Sequence, residues 1–419
     1  MEKLKTKKTF KKFTYKKSNE LFERADEVIP NGIYGHFSPA PLVPVSAYPF
    51  YIESAKGSRI TDVDGNEFID YMCGYGPMVA GYKNPIIEKA VMDQYQKVDT
   101  VTGAPEVMVE LAEELVNTIT IADWAFFAKN GNDVTSYALM AAREHTQRKK
   151  VIRLKGGYHG THPWTQSPDH PGIMFDDAEN IIMGKWNDID DLKRIIKENK
   201  NEIAGLISSP YHHTIFFDNE MPDDGYWQEV EKICREEGIV LIIDEVRTGF
   251  RININGANET FGFKPDLICY SKAMANGYPI SALVGTNEIK SSVSKVFYTG
   301  SFWFSAVPMV ASLETIKYLK ANNGVEKMHQ YGKKMEAGLV QLANKHGYDL
   351  KVTGHPAMPY FRITDDPTLK LHQRWCAECT QRGAYFTSHH NWFMSTAHTE
   401  EDLKLTLDIA EDAFHALKS

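Results

Sequence analysis

The chain has 419 residues, of which 42% are hydrophobic and 24% charged, and its formal net charge is −8. This composition predicts a soluble globular protein of about two domains, and the acidic balance argues against a nucleic-acid-binding protein. No apolar run approaches the roughly 20 residues of a membrane span, and the lysine-rich start lacks the apolar segment of a secretory signal. Five cysteines without a disulfide framework fit a reducing cytoplasm.

The predicted elements begin with an amphipathic helix over residues 18–30, followed by short strands over residues 48–71 with a hairpin turn at 62–66. From about residue 85 to 300, helical segments alternate with short apolar strands. We place such strands at residues 124–128, 150–154, 203–208, 239–243 and 266–270. This alternation is typical of an α/β fold with a mainly parallel sheet covered by helices.

The last quarter of the chain begins with a long predicted helix over residues 306–346, with a break at Asn322-Asn323-Gly324. Beyond it we predict strands at 349–353, 359–363, 384–387 and 392–396, a helix at 367–382, and a final helix from Glu400. We divide the chain into a large domain over residues 76–310 and a small α+β domain from residues 1–75 and 311–419.

Two polar side chains stand at the ends of buried strands. Asp244 ends the apolar segment 239–243, and Lys272 follows the segment 266–270. A lysine at the exit of a buried strand is placed to have its pKa lowered and to act as a nucleophile. A lysine for a Schiff base and an acid for the pyridine nitrogen are the two fixed contacts that pyridoxal 5'-phosphate (PLP) needs. The pair therefore indicates a PLP enzyme.

A turn and a loop supply further cofactor candidates. Gly131 and Asn132 lie between a strand and the helix 134–147, where free backbone N–H groups bind phosphate; the alternative is an ordinary helix N-cap. Tyr158 and His159 lie on a glycine-flanked loop after the strand 150–154, where an aromatic ring can lie flat against a cofactor. The alternative there is a tight loop without a ligand.

Metal binding is not predicted for this chain. His159 and His162 have no matching acidic cluster, and Cys376 and Cys379 form a single Cys-x-x-Cys pair without a second pair.

Phosphate turn, aromatic, strand-end acid and strand-end lysine follow one another in an order that resembles class-III, fold-type-I aminotransferases. The branch that contains glutamate-1-semialdehyde aminomutase is the most similar. Asp244-Glu-Val-Arg-Thr-Gly-Phe-Arg251 resembles its Asp-Glu-Val-Met-Thr-Gly-Phe-Arg, and Asp70-Tyr-Met-Cys-Gly-Tyr-Gly-Pro-Met78 resembles its Asp-Tyr…Ser-Trp-Gly-Pro-Met. The resemblance runs from about residue 20 to the end and implies a mainly parallel seven-stranded sheet in the large domain.

The resemblance also implies roles for individual residues. Lys272 would form the Schiff base and move the proton, and Asp244 would pair with the pyridine nitrogen. Val246 would pack on the ring face opposite Tyr158, while Gly131 and Asn132 would hold the phosphate. Gly300-Ser301 matches a Gly-Thr motif that reaches the phosphate from the neighbouring subunit, which implies a homodimer with a shared active site.

The chain departs from this branch in its substrate contacts. Ser38 stands where the aminomutase has an arginine for the substrate carboxylate, and Ser209 stands where the family commonly has glutamate. A hydroxyl cannot replace a bidentate guanidinium, so we expect a substrate other than glutamate-1-semialdehyde. Five residues are candidates for a polar pocket that would suit a hydroxyl-rich, sugar-like amine: Tyr34, His36, Tyr75, His389 and Asn391. The alternative is that these side chains are structural or superficial.

Three functional classes follow from these observations. The first, which we favour, is an aminotransferase that moves an amino group from an amine donor to a carbonyl acceptor. The second is an aminomutase or racemase, which keeps the nitrogen on one molecule. The third, a binding protein without catalysis, is disfavoured because both Lys272 and Asp244 are present.

Overall fold

The computed structural model describes residues 9–33, 35, 47–166 and 170–418, with the backbone alone at residue 177. Its strands are β1 (Ile52–Lys56), β2 (Arg59–Asp62), β3 (Glu67–Asp70), β4 (Trp124–Ala128), β5 (Lys150–Leu154), β6 (Ile181–Gly184), β7 (Ile203–Ser208), β8 (Val240–Asp244), β9 (Leu267–Tyr270), β10 (Ser281–Gly285), β11 (Leu350–Thr353), β12 (Tyr360–Ile363) and β13 (Ala384–Tyr385).

Helices alternate with many of these strands along the chain. They are α1 (Lys16–Asp26), α2 (Pro85–Tyr95), α3 (Val107–Thr118), α4 (Gly131–Thr146), α5 (Phe175–Ala178), α6 (Ile189–Glu198), α7 (Tyr226–Glu237), α8 (Ala257–Phe261), α9 (Asn287–Lys295), α10 (Ala306–Ala321), α11 (Gly324–Lys345), α12 (Lys370–Thr380) and α13 (Glu400–Ala416). Short 3₁₀ turns lie at Pro163–Thr165 and Lys272–Ala275. None of the helices in the described part of the chain is both long and apolar enough to cross a membrane.

Seven strands form the central sheet in the order β4-β10-β9-β8-β7-β5-β6. The pairs β9-β8, β8-β7, β7-β5 and β5-β6 are parallel, whereas β10 runs antiparallel to both β4 and β9. Strands β7 to β10 are buried along their whole length, as expected of a sheet covered on both faces. The predicted mainly parallel sheet is therefore confirmed.

A second sheet joins the two ends of the chain. Its order is β1-β2-β3-β13, and β13 pairs with β3 in parallel, Ala384 opposite Ile69 and Tyr385 opposite Asp70. The predicted turn at 62–66 connects β2 and β3, where Oδ1 of Asp62 accepts hydrogen bonds from the backbone of residues 64 and 66. N- and C-terminal segments thus meet in one sheet, while the domain borders at residues 75 and 310 stay predictions.

One predicted strand, 392–396, is wrong. Its backbone bonds to separate segments instead of following one neighbour: the N–H groups of Trp392, Phe393 and Met394 donate to the carbonyls of Pro359, Tyr71 and Ala357 in turn. The segment is an irregular buried connection with no strand assigned to it. The predicted strand at 384–387 is shorter than expected, and β6 and β10 were absent from the sequence prediction.

The predicted break in the long helix is confirmed between α10 and α11, where Asn323 has a left-handed φ of 50°. Helix α11 then passes very close to the loop before β12. A Cβ atom added at Gly332 would lie 1.9 Å from the carbonyl oxygen of Pro356. This loop accepts backbone hydrogen bonds from the 391–394 connection, so the close approach helps to hold the two C-terminal segments together.

We expect Gly332→Ala to lower the free energy of unfolding by about 1–3 kcal/mol, because backbone must move to admit the methyl group. Gly338→Ala on the same helix is the matched control, since its methyl group would meet only the movable side chain of Leu407, at 2.8 Å. Denaturant unfolding of the two variants checks this. Equal stability of both variants would contradict the close packing at Gly332.

Candidate active site

A cavity of about 190 Å³ opens where β8 and β9 end and α4 begins. Ligands bind in this position in open α/β sheets, because side chains at the carboxyl ends of neighbouring strands converge there. Asp244 is the last residue of β8 and Lys272 follows β9 after one residue. The cavity is lined by Asn130, Gly131, Asn132, Thr135, Tyr158, His159, Gly160, Ser209, His213, Asp244, Val246, Arg247 and Lys272.

Lys272 begins the 3₁₀ turn after β9 and has a left-handed φ of 47°, an uncommon conformation for a residue with a side chain. The residues that follow it, 273–275, are fully buried. Burial, together with the positive charge of Arg247, lowers the pKa of the lysine to about 7, and the carboxylate of Asp244 offsets only part of this effect. A large fraction of the amine is therefore neutral near pH 7 and able to attack a carbonyl.

Asp244 is held in position by two hydrogen bonds. Its Oδ1 accepts from the backbone N–H of Val246 at 2.9 Å, and its Oδ2 lies 2.8 Å from Nδ1 of His159. His159 is fixed in turn because its carbonyl accepts from Oγ1 of Thr135 at 2.7 Å. The neighbouring Glu245 points away from the cavity and accepts from the backbone N–H of Ala257. Asp244 is therefore the oriented carboxylate of the cavity.

The start of α4 forms the second wall. Helix α4 has 16 residues, and two residues of its first turn, Gly131 and Asn132, line the cavity. The side chain of Asp133 accepts a hydrogen bond from the backbone N–H of Asn130 at 2.8 Å. This bond is the helix capping that the alternative interpretation of the turn, an ordinary N-cap, predicts. Asn132 uses its Oδ1 to accept from the backbone of Thr161 at 2.7 Å, so this side chain ties α4 to the loop that carries Tyr158.

The segment that follows β8 packs closely against helix α4. A Cβ atom at Gly131 would lie 2.7 Å from Cγ1 of Val246, so glycine is needed for the contact. Tyr158 lines the same cavity and is 50% exposed, which leaves a ring face available to a bound molecule.

These residues fit PLP. A lysine with a lowered pKa, an oriented carboxylate, a helix N-terminus and a half-exposed aromatic ring surround one cavity. Nε2 of His159 is buried without a hydrogen-bond partner among the described residues, as expected of a polar site that is completed by a ligand.

None of the predicted substrate residues that the structure describes lines the Lys272 cavity. Tyr34 and His36 are outside the described residues. Tyr75 lines a different, mainly apolar pocket together with Tyr82 and Tyr385. His389 and Asn391 are buried outside the lining of the Lys272 cavity, although Oδ1 of Asn391 accepts from Nη1 of Arg247 at 3.3 Å.

Ser301 is exposed and does not line the cavity of its own chain. Sequence reasoning also missed six lining residues as site candidates: Asn130, Thr135, Gly160, Ser209, His213 and Arg247. For Arg247 a signal existed, because it stands where the similar branch has methionine. For His213 there was none, since its position depends on how the loop after β7 folds back.

Residues 43–414 match the protein family described as aminotransferase class-III. The chain is 40% identical to an aminopentol aminotransferase of Sphingopyxis macrogoltabida, over 96% of this chain and 94% of the relative. It is 33% identical to a glutamate-1-semialdehyde 2,1-aminomutase of Methanococcoides burtonii, over 94% and 98% of the two chains. The structure of the PLP internal aldimine form of the FumI protein from Sphingopyxis sp. MTA144 is similar, with a TM-score of 0.92, 40% identity and 96% of each chain covered.

The pKa of Lys272 predicts how cofactor capture depends on pH. Because this pKa is lowered to about 7, the amine is mostly protonated at pH 6 and mostly neutral at pH 8. We expect the rate at which the cofactor-free protein captures PLP to rise through pH 7 and then level off. Stopped-flow absorption checks this, with butylamine as the control for titration of PLP itself. A rate that rises toward pH 10, as for an ordinary lysine, would contradict the account.

Proposed function

The chain belongs to the class-III aminotransferases, and we propose that within this family it transfers an amino group from a hydroxyl-rich amine to a separate carbonyl acceptor. Members of the family use PLP, which supplies an aldehyde that takes up the amino group and a ring that accepts electrons from the bond being broken. One observation supports the proposal most strongly: Lys272, whose pKa is lowered, and the oriented carboxylate of Asp244 line the same cavity.

The proposed roles of the cofactor-binding residues follow from their positions. Lys272 would hold the cofactor through Nζ, and its amine would accept and return the substrate proton. Asp244, oriented by His159, would keep the ring nitrogen protonated. Gly131 and Asn132 would donate backbone N–H groups to the phosphate. Tyr158 and Val246 would confine the ring.

We propose transfer between two molecules over rearrangement within one. In transfer, the donor loses its amino group and becomes a carbonyl compound, while the acceptor carbonyl becomes an amine, so no external oxidant or reductant is needed. Ser38 in place of the aminomutase arginine supports this choice, as does the higher identity to an aminotransferase than to the aminomutases. The alternative remains an aminomutase or racemase.

A hydroxyl-rich amine as donor is supported by the relative that is named an aminopentol aminotransferase. The proposed contacts remain those of the sequence prediction: Tyr34, His36, Tyr75, His389 and Asn391. Three of them are hydroxyl- or imidazole-bearing residues from the N-terminal segment, and two come from the 389–391 connection. Tyr75, His389 and Asn391 do not line the Lys272 cavity, so they would meet only the part of a long amine that extends beyond it.

The test of transfer is product formation with and without a separate acceptor. We expect the purified PLP-loaded enzyme to convert an aminopolyol only when a carbonyl acceptor is present, with one amine formed per amine consumed. Lys272→Ala should abolish turnover, and Asp244→Asn should lower kcat on the order of 100-fold or more, because the ring loses its charge partner. Isomerisation of one substrate without an acceptor would favour the mutase, and near-normal rates in both variants would overturn the site.

We also propose that the active enzyme is a cytoplasmic homodimer in which Ser301 completes the phosphate site of the partner. Ser301 lies among the exposed aromatic residues Phe297, Phe302 and Phe304. Exposed apolar side chains grouped in this way mark interaction surfaces. The five cysteines are all free and buried, which is compatible with a reducing compartment.

For the dimer, the informative change is Phe302→Asp. The wild type should sediment at about twice the 47.5 kDa of one chain, and the variant should shift toward the monomer and lose affinity for PLP. Phe217→Asp is the matched control, because Phe217 is 69% exposed and Phe302 66%. A wild-type monomer with full PLP affinity would contradict the shared site.

A further inference from the structure

Three side chains form a cluster where two helices end in the C-terminal part of the chain. His346 directly follows α11, and Glu411 and His415 lie in the last turns of α13. One possible ligand atom from each of the three lies within 4.8 Å of the other two. None of the three lines the Lys272 cavity, so the cluster is separate from the site described above.

The buried member of this cluster is His346. It is 6% exposed, and its Nε2 has no hydrogen-bond partner among the described residues. Oε1 of Glu411 lies 3.8 Å from this nitrogen, which is too far for a hydrogen bond. Buried polar atoms in native proteins usually have a partner, and one without a protein partner is often completed by an ion or a water. The unpaired Nε2 therefore indicates a bound group between the two side chains.

The orientation of the His346 ring is set by its neighbours. The ring stacks on that of Phe414, with centroids 5.8 Å apart and an angle of 14° between the planes. The ring of His415 meets it edge-on, at a centroid distance of 4.3 Å. The backbone N–H of His346 donates to the carbonyls of Leu342 and Ala343, at 3.1 and 3.0 Å. Packing and backbone hydrogen bonds thus hold the ring beside α13.

The other two residues have the spacing of helical metal ligands. Glu411 and His415 are four residues apart on α13 and therefore lie on one face of the helix. The same spacing brings the two histidines of a His-Glu-x-x-His motif to one zinc ion. Tetrahedral zinc, with bonds of about 2.0–2.2 Å to nitrogen and oxygen, sets its ligand atoms roughly 3.3 Å apart, so the cluster must close by at most about 1.5 Å. Both side chains are partly exposed and can rotate by this amount.

The types of ligand favour zinc over other cations. Two imidazoles and one carboxylate suit zinc, whereas calcium and magnesium prefer sites built from oxygen atoms. Three protein ligands leave the fourth tetrahedral position to water. Lys345 competes for the site, because its Nζ pairs with Oε1 of Glu411. This lysine side chain is 64% exposed, and such surface pairs contribute little to stability, so a doubly charged ion can displace it.

We propose that His346, Glu411 and His415 form a zinc site that ties the end of α11 to α13. The ion binds only when both helices are folded and packed together, because His346 lies far from the other two ligands in the sequence. Zinc therefore stabilises the native chain and leaves the Lys272 cavity unchanged. The sequence alone did not predict this site, since one of its ligands follows a different helix.

Calorimetric titration with zinc chloride tests the site on untagged, PLP-loaded protein that has first been freed of metal with EDTA. We expect saturable binding of one zinc ion per chain, and a rise in Tm of roughly 3 °C at about 100 times Kd. In Glu411→Gln and in His415→Gln the affinity should fall by more than the roughly 10- to 100-fold that loss of a hydrogen bond to a metal ligand costs. His170→Gln is the matched control, because it removes an exposed histidine outside the cluster and should bind zinc as the wild type does.

The proposal is wrong if the wild type shows no saturable zinc binding, or if either cluster variant binds zinc as tightly as the wild type. Displacement of zinc by excess magnesium chloride would also overturn it, because histidine ligands do not favour magnesium. A shift in the visible absorption of PLP on adding zinc, kept in both variants, would place the ion at the cofactor instead. Circular dichroism without zinc checks that the variants fold. If one variant does not fold, the other decides the comparison, and neither readout depends on amino transfer.

Discussion

The desolvation of one lysine amine is the constraint on which the rest of this structure depends. Lys272 stands at the end of a fully buried strand, where water cannot stabilise the ammonium form and the pKa of the amine falls to about 7. The parallel pairing of β8 with β9 sets Asp244 opposite Cys269, three residues before the lysine, so acid and amine reach the same cavity. A covered parallel sheet is thus what makes the lysine reactive and places its partner beside it.

Charge is distributed unevenly around this cavity. Its carboxylate is already bound by a histidine, whereas two basic side chains, Lys272 and Arg247, line the space and form no ion pair among the described residues. Each cation lowers the free energy of a bound anion and raises that of the other cation, which is why Arg247 contributes to the lowered pKa of Lys272. The wall that carries Arg247 therefore helps to keep the lysine amine neutral.

Much of this arrangement could be predicted from the sequence, because local patterns determine it. The strands around Asp244 and Lys272 are continuous apolar segments, and helix α4 begins at a glycine after a strand. Strand 392–396 was wrong because its apolar residues are buried by separate neighbours, and burial alone does not distinguish a strand from a packed connection. The contact of His213 with Arg247 joins residues 34 positions apart through a folded-back loop, and no local pattern indicates such a contact. The roles assigned to Tyr75 and His389 rested on resemblance, and their positions away from the cavity depend on long-range packing.

The most direct test of the central claim is to find which lysine holds the cofactor. The PLP-loaded protein is reduced with borohydride, digested, and mapped by mass spectrometry, with the visible absorption followed before and after reduction. The account predicts loss of the visible band and a single modified peptide that carries the reduced cofactor on Lys272. A cofactor spread over several surface lysines, or no modification after soaking with PLP, would contradict the claim that burial at the end of β9 makes this amine the reactive one.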